Sequence, residues 1–106
     1  MTKPKIPLPK AELAAYCERW RITRLALFGS VVSDDSDFGP ESAVDVIARF
    51  APEARHTLFT FADMEQELAG LLGREVHLVS WKGLEHSAGP RRRKRILDSA
   101  QVVYAA

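Results

Sequence analysis

The 106-residue chain reads as a single α/β domain, a small mixed β-sheet with helices packed on it. Its length suits one compact domain and is too short for two. Its hydrophobic fraction of 46% is ordinary for a globular protein and argues against disorder beyond the ends. Short apolar runs of strand length alternate with segments whose apolar residues recur at three- and four-residue spacing, and that interleaving predicts helices laid on a sheet.

Residues 1–8 are rich in proline and lysine and are expected to form an extended, flexible leader, so the folded domain spans 9–106. From Pro9, a residue suited to a first helical turn, Leu13, Tyr16, Cys17 and Trp20 mark one apolar helix face. Leu25-Ala26-Leu27-Phe28 is a buried strand that stops at Gly29-Ser30, with a helical turn possible over Val31 to Asp34. The Ser-, Asp-, Gly- and Pro-containing stretch 33–42 is a loop, and Val44-Asp45-Val46-Ile47-Ala48-Arg49-Phe50 is a second strand. The longest helix runs over 57–72, with Leu58, Phe61, Ala62, Glu65, Leu68, Ala69 and Leu72 on one largely apolar face and Gly73 as its stop. A third strand carries Val76-His77-Leu78-Val79 and a last helix covers 91–99. Val102-Val103-Tyr104 fits either a terminal strand or an irregular tail.

Composition excludes several classes of protein. Fifteen basic and fourteen acidic residues give a net charge of +1, which points neither to nor away from nucleic acid. Cys17 stands alone, so no internal disulfide forms, and its place on the apolar helix face makes it a small core residue. No apolar run approaches the roughly 20 residues that span a bilayer. The proline-broken N-terminus lacks the apolar region of a signal peptide, so a cytoplasmic protein is expected.

Two features carry candidate chemistry. Gly29 removes a Cβ where another group must approach the backbone, and Ser30 offers a hydroxyl and an N–H where phosphate would bind. Gly-Ser after a strand is also an ordinary turn and cap. The second feature is Asp45, an ionisable side chain within an apolar strand. A carboxylate there is costly unless it is paired, metal-bound or turned to water. Alternation places Ala43, Asp45 and Ile47 on one sheet face and Val44 and Val46 on the other.

Taken together, Leu27-Phe28-Gly29-Ser30, an acidic loop, and Ser42-Ala43-Val44-Asp45-Val46-Ile47 resemble the signature of the minimal nucleotidyltransferases of the DNA polymerase β superfamily. The resemblance runs from about Leu13 to the C-terminus and includes Gly73-Arg74-Glu75-Val76-His77-Leu78-Val79-Ser80 and the closing Ile96-Leu97 and Val103-Tyr104-Ala105-Ala106. In that family Gly-Ser holds a nucleoside triphosphate. Asp-x-Asp at a strand start, with a third Asp on a neighbouring strand, holds the divalent metals that neutralise charge in phosphoryl transfer. The resemblance implies Gly29 and Ser30 as ATP-binding residues and Asp45 as catalytic residue and Mg²⁺ ligand.

The chain departs from that pattern at three points. Ala43 stands in place of the first Asp, His77 in place of the third, and the loop from Ser30 to Ala43 is longer than the family's usual spacing. Glu41 is the nearest replacement for the missing carboxylate. Magnesium prefers hard oxygen ligands, for which an imidazole is a poor substitute. Losing about 4–6 kcal/mol of transition-state stabilisation slows a reaction on the order of 10³- to 10⁴-fold, so a degenerate site is expected. The resemblance further implies a partner. Many such proteins act as antitoxins of HEPN-domain ribonuclease toxins, active members by transferring AMP from ATP onto the toxin and others by binding. The alternatives are an active enzyme using Asp45 with Glu41 or a partner's side chain, and a nucleotide sensor that binds ATP at Gly29 and Ser30 without turnover. The basic run 91–95 reads as a solvated face, or else as a patch for an acidic partner, RNA or a triphosphate. His56 and His86, with no partner visible in sequence, are assigned to the surface.

Overall fold

The computed structural model describes residues 6–32, 39, 42–87 and 89–106. Helix α1 (Lys10–Arg19) leads into β1 (Ile22–Phe28), a single 3-10 turn (Gly29–Val31) and β2 (Val44–Phe50). Helix α2 (Leu58–Leu72), β3 (Val76–Ser80), α3 (Trp81–Ser87), α4 (Pro90–Ser99) and β4 (Gln101–Ala105) follow. The sheet order is β3-β2-β1-β4. β1 is antiparallel to both of its neighbours, whereas β3 runs parallel to β2. The parallel pair follows from α2, because a strand that returns through a crossover helix keeps its direction.

Strand alternation sorts the core into two layers. On one face Leu25, Leu27, Val44, Val46, Val76 and Leu78 meet Leu13, Tyr16 and Cys17 of α1 and Met64 and Leu68 of α2. On the other, Ala26 and Ile47 meet Leu84 of α3, with Ile96 and Leu97 of α4 packed against them. The mixed α/β class read from the sequence is therefore the fold. No helix among the described residues is long and apolar enough to cross a membrane.

Several elements differ from expectation. The end of the leader is not loose: Ile6 is buried and Leu8 packs against the main core. Helix α2 begins one residue later than predicted. Thr57 caps it, accepting from the Thr60 N–H while the Thr60 hydroxyl accepts from the Thr57 N–H, and Gly73 closes it in a left-handed conformation (φ 67°). Its buried face is rotated relative to the predicted one. Met64 and Leu68 are fully inside, whereas Leu58 is 89% exposed and Ala62 also faces outward. Helix α3 is not visible as apolar periodicity, since only Leu84 is buried in it. Its signal is Ser80, whose hydroxyl accepts the Gly83 N–H at 2.9 Å as an N-cap does. Residues 101–105 form an edge strand, the first of the two outcomes expected for this segment. His86 is exposed as expected, but His56 is not a free surface residue: its Nε2 lies 3.0 Å from the Trp20 carbonyl, and its ring packs on Phe50 at 4.7 Å.

Candidate functional site

The site forms where three strand ends meet. β1 ends at Phe28 and the chain turns at once through Gly29, whose φ of 78° is a left-handed value that favours glycine. Buried Val31 anchors this turn, and the Val32 N–H closes it on the Gly29 carbonyl at 3.1 Å. Asp45, the second residue of β2, stands opposite Phe28 of β1 and His77 of β3 in the ladder. All three side chains are thereby on the α3–α4 face of the sheet, together with Ala43.

Gly29 and Asp45 are in close contact. A Cβ on Gly29 would lie 2.6 Å from Asp45 Oδ2, so the carboxylate would have to move aside to admit one. The positive φ selects glycine here, and the missing Cβ leaves room for the Asp45 carboxylate beside the turn. Adjacent Cα atoms are about 3.8 Å apart, so Ser30 also lies within reach of anything bound at Asp45.

His77 Nδ1 is 3.5 Å from Asp45 Oδ1, and His77 Nε2 is 3.7 Å from Glu75 Oε1. The imidazole therefore stands between two carboxylates. Both distances exceed that of a hydrogen bond, and His77 and Glu75 are largely exposed, so each contact is a weak, solvent-screened attraction. Arg74, absent from the candidate residues read in the sequence as a site, fastens the returning loop. Its guanidinium donates to the carbonyls of Gly39 at 2.8 Å and Ser42 at 3.0 Å. The Val44 N–H then donates to the Glu75 carbonyl at 2.9 Å, which extends the parallel ladder toward the site. An arginine directly after a helix-closing glycine was the available signal for this latch.

The structure thus brings Gly29, Ser30, Ala43, Asp45 and His77 together; Glu41 lies outside the described residues. Among the described residues the donor set does not fit a two-metal centre. Asp45 supplies the one carboxylate on its strand, Ala43 has no donor, and His77 presents nitrogen where magnesium selects oxygen. Among the described residues no group of three His, Cys, Asp or Glu side chains converges to hold a metal ion.

A four-stranded mixed sheet flanked by helices, with a Gly-Ser turn abutting a strand-start aspartate, defines the nucleotidyltransferase class. Residues 12–103 match the nucleotidyltransferase domain family model, and the chain belongs to that family. It is similar to a structure described as a minimal nucleotidyltransferase, at 30% identity over 87% of this chain and 86% of that one, with a TM-score of 0.65. More distant likenesses, which bear on the fold, include a toxin–antitoxin structure with AMP-PNP (16% identity, 93% and 75% of the two chains, TM-score 0.67). Another is the Shewanella oneidensis complex of a tri-AMPylated HEPN toxin with an MNT antitoxin (15% identity, 92% and 70%, TM-score 0.60). No curated protein sequence matches the chain significantly.

Proposed function

We propose that this nucleotidyltransferase domain acts as an antitoxin-type binding partner that neutralises a HEPN-family ribonuclease toxin without transferring AMP. The observation that carries the reading is the donor set at the strand ends: Asp45 touches Gly29 and faces His77, with Ala43 beside it. The Gly29–Ser30 turn of the family resemblance is present, whereas Ala43 and His77 stand where that resemblance expects carboxylates. The partner class rests on similarity to antitoxins described in complex with HEPN toxins. A cytoplasmic location belongs to the same proposal.

The test is co-expression with a HEPN-type ribonuclease encoded beside this chain. Expected are rescued growth, a complex stable on gel filtration and, with ATP and Mg²⁺, no AMP added to the toxin by intact mass. Rescue should survive Asp45→Asn. A second reading keeps the enzyme: ATP and Mg²⁺ bound at Gly29, Ser30 and Asp45, with Glu41 or a partner's carboxylate completing the metal site. It is favoured by the retained Gly29–Asp45 contact, and AMP on the toxin that disappears with Asp45→Asn would establish it in place of the first.

A further inference from the structure

The same sheet face carries a second cluster at its other end. Arg24 on β1 and Arg49 on β2 are direct cross-strand partners. Such neighbours have Cβ atoms about 4.5–5.5 Å apart, and like charges placed there repel. Both are exposed, and neither guanidinium has a hydrogen-bond or ion-pair partner among the described residues. An anion seated between the two guanidiniums would relieve that repulsion.

The arginines open onto a cleft of about 810 Å³ between the ends of β1 and β2 and the start of α3. Arg55 and Lys82 add two more cations, both exposed, against one acidic side chain, Glu85. Trp81 and Phe61, each half-buried, supply aromatic surface to the wall. The volume lies within the roughly 300–1,000 Å³ of small-ligand sites. Paired guanidinium forks match phosphate oxygens, and an aromatic wall matches the face of a base. Asp45 precedes Arg49 by four residues on the strand, about 13 Å at a strand's rise, so this cleft is separate from the strand-end site.

We propose that this cleft is a metal-independent binding site for a nucleotide phosphate and its base, either free or as part of a single-stranded RNA. The arginine pair and Lys82 hold the phosphate, and Trp81 meets the base. No chemistry at Asp45 is required, and the proposal does not depend on the antitoxin reading.

The probes are ATP and a fluorescein-labelled oligoadenylate octamer, each titrated in EDTA at low salt. Anisotropy reports the octamer, and Trp81 fluorescence reports both ligands. Expected is saturable binding with quenching, weakened at least about tenfold by Arg24→Glu or Arg49→Glu, with a smaller salt dependence in each variant. Trp81→Phe should abolish most of the quenching and weaken binding less, since Trp20, the other tryptophan, does not line the cleft. Lys10→Glu, the same charge change on the opposite face, should bind like wild type. Octamer binding without ATP binding identifies a strand as the source, and tight ATP binding identifies the free nucleotide. The proposal is overturned if neither ligand binds, if the arginine variants bind as wild type, or if a polyglutamate peptide competes as well as the octamer. Melting temperatures of the arginine variants at or above wild type exclude misfolding as the cause of any loss.

Discussion

Two ends of one sheet face carry opposite arrangements of charge. At the start of β2, Asp45 has the His77 imidazole beside it and the Glu75 carboxylate beyond. At the other end of β2, Arg49 faces Arg24, and neither has an acidic partner among the described residues. At the first end an imidazole stands between two carboxylates, so unlike groups are neighbours. The second holds charges that folding alone would disperse. A conflict between folding and charge is better evidence of a ligand than a remembered motif, because motifs outlast the chemistry they served.

The largest effect expected at the strand-end site comes from Gly29→Ala. The left-handed backbone costs an alanine roughly 1–2 kcal/mol, and moving the half-exposed Asp45 carboxylate aside adds up to about 1 kcal/mol, for a total of up to about 3 kcal/mol by urea unfolding. Adding Asp45→Ala to Gly29→Ala should recover the clash and leave the backbone cost, a coupling that a double-mutant cycle resolves. If the two changes are simply additive, the Gly29–Asp45 contact is not tight, and the contrast between the two ends loses one side.

Restoration of the metal site ranks next. Ala43→Asp with His77→Asp places three carboxylates where their like charges repel. The double variant should lose stability without metal and recover about 2.7 kcal/mol with Mg²⁺ or Mn²⁺ at 100 times the dissociation constant, read as a melting shift. Wild type should respond much less. An equal response from wild type would mean that a complete site already exists, with Glu41 as the first residue to substitute.

A control for both ends lies under the sheet. Burial pushes the Cys17 thiol up from 9.0 to about 12 and holds it neutral in the folded state. Its contribution is fully present below pH 9, the unfolded value, and is lost as pH rises toward 12. By pH 10 the loss is about 1.4 kcal/mol, before Tyr16, whose pKa burial also raises, contributes much. Cys17→Ala should flatten the stability profile between pH 9 and 10. An unflattened profile would assign the alkaline loss to other groups.

How much of this was legible beforehand follows the physics of each signal. The strands and the Gly29, Ser30 and Asp45 constellation were readable, because apolar runs and the glycine that admits a carboxylate are properties of local sequence. The rotated face of α2 was not. Phe61, Leu68, Ala69 and Leu72 of the expected face do pack against the core, but Leu58 and Ala62 fit the helical period and face outward, while Met64 is buried in their place. His56 required a contact with Trp20, 36 residues away in sequence. The arginine pair was invisible for the same reason: Arg24 and Arg49 are ordinary surface residues until strand register places them opposite each other.

The smallest expected effect tests that register most directly. If Arg24 and Arg49 repel across the strands, Arg49→Glu should replace repulsion with attraction and raise stability, against the usual direction for a point mutation. Cross-strand pairs are worth roughly 0.2–1 kcal/mol, so an intermediate gain of about 0.5 kcal/mol is expected. In a domain of this size that is a melting increase of about 3 °C. Both side chains are exposed, so the gain should shrink as salt is raised, whereas a packing effect would not. Arg24→Glu should stabilise similarly, and the double charge reversal should return toward wild type, since two carboxylates repel as two guanidiniums do. A stabilised Arg49→Glu variant that no longer binds nucleotide would show the ligand site kept at the expense of stability. A destabilised one would mean that Arg49 already has favourable company at its end of the sheet, and the contrast with Asp45 would fail.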